Sequence, residues 1–274
     1  MKLQVKGWLT VFFLISLLWG VGYLLGERTG FALGVLLSVL LVARLRWPRA
    51  PYLAQVFGAS LLEGSDSYGV QNLLGQVSHQ NRIPRPQVFL VPSNWPILFS
   101  TGTKPSNSSL FISVAVLERF STEELRALLT WELLGIQKRQ NLTANVGQTL
   151  SSLLLWGGRL LDGLRSSRKQ EGSPQIFQEL LAPLAAAPLK GLNREKDFFE
   201  IDQEASRILA NPDLMARSLW KLDSLVKSQP LEISPTFSPF FPVGPLTPHR
   251  YGRYFDVQPE IEQRVRRLVG HYPV

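Results

Sequence analysis

The residues with the most chemistry sit on one stretch, Ser121 to Gln140, STEELRALLTWELLGIQKRQ. Leu125, Leu128, Leu129, Trp131, Leu133 and Ile136 put apolar groups around most of the helix this pattern predicts, so that helix is expected to be buried. Glu132 is the exception. A carboxylate among leucines must be hydrogen-bonded, protonated or paired, because burying it ionised and alone costs several kcal/mol or more. The pattern that usually accounts for such a Glu is H-E-x-x-H, in which two imidazoles one turn apart hold zinc and the Glu activates the zinc-bound water. Here the frame is W-E-L-L-G. Trp131 and Gly135 fill the two ligand positions, and neither can bind a metal.

Composition narrows the chemistry further. With no cysteine, thiolate zinc sites, disulfides and cysteine catalysis are excluded. The three histidines, His79, His249 and His271, are too few and too scattered for a histidine-rich metal site, and no two share a helical face. The net charge of +8 does not form one stripe. Lys2, Lys6, Arg44, Arg46 and Arg49 flank a hydrophobic N-terminus, as membrane-flanking residues do, while Arg264, Arg266 and Arg267 lie on a late helix. No nucleic-acid partner is expected.

Several elements must position the Ser121–Gln140 helix. Trp8 to Leu25 and Phe31 to Val42 are two apolar runs joined by the tight link Glu27 to Gly30, which predicts a transmembrane hairpin over residues 1–48. Basic residues at both outer ends place the N-terminus and main domain on the cytoplasmic side. Ser67 to Gln80 predicts a helix, Gln87 to Val91 and Leu110 to Val114 two strands, and Ser93 to Asn107 a turn-bearing segment between them. Ser121 and Glu124 form a capping box at the start of the central helix. Leu150 to Leu164 and Ile176 to Leu192 make a further apolar pair, interrupted by Arg159 and Asp162 and by Pro183 and Pro188, so residues 145–192 are expected to be membrane-associated or marginally transmembrane. Asn193 to Ala210 predicts a charged helix, Asn211-Pro212 caps another, Pro230 to Pro248 is a proline- and phenylalanine-rich loop, and Pro259 to Gly270 brackets a last helix.

This order of parts resembles the HtpX-type membrane zinc metallopeptidases, relatives of the CAAX prenyl proteases, from about Gly22 to Leu268. GYLLGERTG resembles that family's GG-x-x-G turn, and NRIPRPQVFLVPS its domain-opening helix and strand. Phe99 to Gly102, FSTG, is similar to its F-A-T-G, and QPEIEQRVRRL at Gln258 to Leu268 to its H-P-P-I-E-x-R-I-x-x-L. The resemblance implies a zinc-binding peptidase, but the departures fall on the chemistry. The zinc-histidine positions are Trp131 and Gly135, while the general-base position is kept as Glu132. The third ligand of that family is a Glu in S-R-x-x-E-x-x-x-D, and NREKDFFEID corresponds to it in either of two registers. Counting from Arg194 puts Asp197 at the ligand, and counting back from Asp202 puts Phe198 there. Gln258 stands where the last motif has His, and Ile97 where an Asn precedes F-A-T-G.

The expected fold is therefore mostly α with a small β-sheet, an α+β zincin-like scaffold over residues 49–274 anchored by the hairpin. Catalytic zinc takes three protein ligands plus water, and at most Asp197 survives, so no cofactor and no proteolysis are expected, and Glu132 is vestigial. Arg194 and Asp202 are expected beside the old site as an ion pair. The expected function is a pseudo-peptidase in the bacterial inner membrane. Its expected partners are the bilayer together with membrane proteins, unfolded segments or an active paralogue. The alternative is an active metalloendopeptidase with an unconventional site built from Glu132, Asp197, Asp202 and a distant His.

Overall fold

A computed structural model describes residues 2–46, 50–63, 66–138, 140–165, 175–229, 231, 233–245 and 250–270. The fold is mostly helical with one small four-stranded sheet.

The chain opens with α1 (Lys2–Arg46), which folds back on itself where Gly26 (φ −150°, ψ 22°) and Glu27 (φ 46°, ψ −121°) leave helical geometry. The two arms touch through backbone. A Cβ on Gly30 would lie 2.0 Å from the Gly22 carbonyl oxygen, and one on Gly34 would lie 2.5 Å from that of Leu18, so only glycine permits the crossing. Between the arms the Trp19 indole donates to Ser38 Oγ at 3.1 Å. The stretch Val11–Ala43 has the length and apolar composition that crossing a membrane requires, and its outward leucines and phenylalanines are exposed. Arg49 lies outside the described residues, as does the structural setting of the side chains of Lys2, Lys6, Arg44 and Arg46.

Next come α2 (Ala50–Phe57), β1 (Ser60–Leu61), α3 (Val70–Asn81), β2 (Gln87–Val91), β3 (Leu98–Lys104), β4 (Asn107–Ser113) and α4 (Val114–Arg119). The sheet order is β1-β2-β4-β3, with β2 and β4 parallel and the outer pairs antiparallel. β3 falls inside the segment whose composition predicts only turns. Its SerThrGly-rich sequence has little strand propensity of its own, and pairing with β4 supplies what propensity lacks.

The sheet is covered on both faces, and alternation along each strand decides which residue goes where. Val88, Leu98, Leu110 and Ile112 face one core, built with α3 and the later helices. Val91, Ile97, Phe99 and Phe111 face the other, with Leu53, Phe240 and Phe241. Phe89, Phe111 and Phe99 are in register across three strands and stack with centroids 4.8 and 4.9 Å apart.

The helical half comprises α5 (Thr122–Gln137), α6 (Gln140–Arg165), α7 (Ile176–Leu192), α8 (Glu195–Leu209), α9 (Pro212–Ser228) and α10 (Ile261–Val269), with short 3-10 turns at Pro235–Phe240 and Gly252–Phe255. α5 begins with the expected capping box: Glu124 N donates to Ser121 Oγ at 3.3 Å and Ser121 N to Glu124 Oε2 at 2.8 Å. Asn211 caps α9 and Gly270, at φ 77°, ends α10. α7 runs on through Pro183 and Pro188, its alanines packed against α6. Gly147 and Gly158 admit that close approach, since a Cβ on Gly158 would sit 3.1 Å from Gln178 Cα. Asp162, which in the sequence interrupts an apolar run, accepts from Phe177 N at 2.9 Å and Gln178 N at 3.1 Å and so caps the start of α7.

Because Phe111 lies at the centre of the aromatic stack with no exposed surface, Phe111→Ala is expected to cost about 3–5 kcal/mol. Thermal unfolding of the detergent-solubilised protein checks this against the milder Phe111→Leu.

Candidate functional site

α5 is the axis of the site. It is wedged between the sheet on one side and α8 and α9 on another, and every residue from Ala127 to Ile136 is buried. Successive residues on a helix point about 100° apart, so Trp131 and Glu132 serve different neighbours.

Glu132 serves the sheet. Ser100 shares its strand face with Leu98 and so points at α5, where it hydrogen-bonds the carboxyl through both its hydroxyl and its backbone. The other oxygen, Oε1, has no hydrogen-bond partner among the described residues. Burial pushes the Glu132 carboxyl up to about 8, against the opposing pull of Ser100. The group is therefore mostly protonated at neutral pH and cannot take up a proton there.

Trp131 serves α8. Its indole N–H donates to Asp202 Oδ1 at 2.7 Å, and its ring stacks on Phe198 with centroids 6.1 Å apart. Phe198 and Asp202 are one turn apart, so one face of α8 presents both to α5. The same aspartate takes a fork from α10. Arg264 Nε donates to Asp202 Oδ2 at 2.8 Å and Nη2 to Oδ1 at 2.7 Å, while Nη1 bonds the Pro242 carbonyl oxygen. The guanidinium is 1% exposed and lies 5.6 Å from the Trp131 ring centroid and 5.9 Å from that of Phe198. A buried charge is tolerable only when so fully satisfied.

The candidates of the two registers of NREKDFFEID have different surroundings. Phe198 and Asp202 meet the central helix; Asp197 instead closes the first turn of α8, accepting from Arg194 N at 3.3 Å and Nη2 at 3.4 Å. The expected ion pair of Arg194 with Asp202 is thus replaced by two separate pairs, Arg194 with Asp197 and Arg264 with Asp202. Asp197 was too close in sequence to Arg194 to lose that partner, and Asp202, on the inner face, meets α10. Gly135 is buried on α5. His79 is exposed in the last turn of α3, while His249 and His271 lie outside the described residues.

Zinc does not fit this set. An indole N–H is a donor, not a ligand, and Phe198 and Gly135 offer no lone pair. Both Asp202 oxygens are engaged by Arg264, one of them also by Trp131, and the fixed guanidinium opposes a second cation beside it. Among the described residues no three His, Asp or Glu side chains gather as a metal site.

Two residues of the cluster lie in the quoted motifs but were given no role at the site. Arg264 is the first Arg of QPEIEQRVRRL, and Ser100 is the second residue of FSTG, where the similar family motif has Ala. Gln258, in place of that family's His, braces the proline-rich loop: Nε2 donates to the Phe241 carbonyl at 3.0 Å and Oε1 accepts from Ser238 Oγ at 2.9 Å.

No family model matches the chain. It is 25% identical over 267 residues to a "Protease HtpX homolog" of Syntrophobacter fumaroxidans, covering 93% of this chain and 94% of the relative. It is 26% identical over 280 residues to "Protease HtpX" of Legionella pneumophila, covering 98% and 99%, and 27% identical over 280 residues to a "Protease HtpX homolog" of Nostoc punctiforme, covering 97% and 95%. The fold is similar to the crystal structure of S. mikatae Ste24p, with a TM-score of 0.50 at 16% identity, covering 97% of this chain and 67% of that one.

The Glu132 carboxyl sets a pH dependence. Its pKa is raised in the fold from the model-compound value of 4.5 to about 8, so between those limits the folded state holds a proton that the unfolded state releases. Stability from this group is full below about 4.5 and is lost as pH rises towards 8. Glu132→Gln keeps the hydrogen-bonding shape without the proton. It should match the wild type near pH 5 and exceed it by a few kcal/mol above pH 8, which melting curves across that range would reveal; parallel curves would contradict it. Arg264→Ala, which strands Asp202 and frees the Pro242 carbonyl, should cost about 3–5 kcal/mol in the same assay.

Proposed function

From the premise that the chain belongs to the HtpX-type family of membrane metallopeptidases, we propose that it is a pseudo-peptidase, a member that keeps the scaffold and acts by binding rather than by hydrolysis. The observation that carries this is the plug at the crossing of α5, α8 and α10. Trp131 and Phe198 stack where the family resemblance implies metal ligands, and Asp202 is held by Arg264. Peptide hydrolysis on this scaffold depends on a metal that polarises water and on an ionised base. Here the donors for the first are missing, and burial keeps the second, Glu132, protonated.

In this reading the intact parts do the work. β1 lies exposed at one end of the sheet order, where an extended segment of another protein can add as a further strand, whereas β3 at the other end is buried beside α6. An unfolded stretch of a membrane protein, or a loop of an active paralogue, has the chemistry for that edge. The apolar faces of α1, α6 and α7 hold the protein in the bilayer. Leu153, Trp156, Leu160 and Leu164 form an exposed apolar stripe on α6, and Leu180 and Leu184 continue it on α7. The basic residues outside both ends of the hairpin favour a cytoplasmic main domain at a bacterial inner membrane.

Metal analysis of the protein purified without chelator is expected to find no stoichiometric zinc, and casein incubated with it should stay intact. One zinc per chain with cleavage abolished by Glu132→Gln would overturn the reading. The absence of native cysteine makes topology testable as well. A cysteine introduced at Leu160 or Leu180 should resist a membrane-impermeant maleimide in vesicles, whereas one at Arg217 on α9 should react once the main domain is accessible.

A further inference from the structure

Between α1, the α6–α7 pair and the Pro235–Phe240 turn lies a half-open cavity of about 1260 Å³. That exceeds the ~300–1,000 Å³ usual for small-molecule pockets. One wall is aliphatic: Leu17, Leu18, Leu37, Leu40 and Leu41 come from both arms of the hairpin. The opposite wall, on α6, carries Leu153 and Trp156 and then turns polar with Gln148, Ser152 and Arg159. Arg159 is the charged side chain in this lining among the described residues, and no acidic one accompanies it.

Two ionisable residues break the apolar run of α6, and they have different explanations. Asp162 is accounted for by the backbone N–H groups of α7 that it caps. Arg159 has neither a carboxylate nor a hydrogen-bond partner among the described residues, and it is exposed. A cation on a helix whose outer face is otherwise leucine and tryptophan is costly in a bilayer unless it meets an anion. The anion that a bilayer supplies beside aliphatic chains is a lipid phosphate.

We infer that this cavity is a site for a single anionic phospholipid, with its acyl chains along the hairpin leucines and its phosphate on the Arg159 guanidinium. The shape supports this occupant: an apolar wall continuous with the exposed surface of α1, an opposite wall that ends in one cation, and a volume suited to chains. The occupied cavity joins α1 to α6, so the lipid acts as mortar between the anchor and the domain. The site also touches the proline-rich loop, since Gln148 and Ser152 contact Thr236 Oγ1 at 3.5 and 3.1 Å. This inference is independent of whether the chain hydrolyses peptides.

The test is native mass spectrometry of the full chain in a neutral maltoside detergent, titrated with phosphatidylglycerol and, separately, with phosphatidylcholine. One phosphatidylglycerol per chain is expected to bind saturably and in preference to phosphatidylcholine. Arg159→Gln should weaken phosphatidylglycerol roughly fivefold, the contribution of one cation near an anionic lipid surface, and leave phosphatidylcholine unchanged. Leu153→Trp, which fills the cavity from an exposed position, should weaken both lipids, and Arg217→Gln on α9 should weaken neither. Equal phosphatidylglycerol binding by wild type and Arg159→Gln, or uptake that never saturates, would reduce the contact to ordinary annular lipid and overturn the site. Glycerol 3-phosphate binding as tightly as the phospholipid would overturn it too, as a free-phosphate site. Melting curves in detergent alone establish that each variant is folded.

Discussion

The fork of Arg264 on Asp202 is the constraint on which the interior depends. It draws α10 onto α8, orients the aspartate so that the Trp131 indole can donate to it from α5, and reaches the Pro242 carbonyl in the loop. A guanidinium and a carboxylate removed from water are costly, and bidentate geometry with further hydrogen bonds offsets that cost. The aromatic rings of Trp131 and Phe198 complete the enclosure, offering π-faces to the cation while excluding water.

This cluster fills the crossing of α5, α8 and α10 with Trp131, Phe198, Asp202 and Arg264. An organic cation held by a fork has no exchangeable position and polarises no water. The chemistry at the crossing serves cohesion between the three helices. Glu132, on the other side of α5, has Ser100 as its neighbour and one oxygen with no hydrogen-bond partner among the described residues, and burial makes it mostly a neutral carboxyl at neutral pH. The fold around it has no structural need for it to ionise.

The α1 hairpin and the α6–α7 pair obey a different rule. Glycines at the arm crossing of α1 and between α6 and α7 let backbones touch, and polar groups inside these pairs are matched locally, as Trp19 is by Ser38 and the start of α7 by Asp162. On α6, Asp162 is accounted for in this way and Arg159 is not.

Much of this was legible in the amino-acid order. The capping box at Ser121, the Asn211-Pro212 start of α9, the glycine end of α10 and the hairpin turn are local features, set by side chains reaching backbone a few residues away or by the backbone freedom of glycine. The burial of Glu132 followed from periodicity alone. What only tertiary structure decided was long-range. β3 exists because β4 pairs with it, Ser100 meets Glu132 because strand alternation turns it towards α5, and Phe198 rather than Asp197 faces Trp131 because α8 is docked through Asp202. Arg264 lies 62 residues beyond that aspartate. No spacing rule connects residues so far apart; only the packing of three helices around one buried charge does.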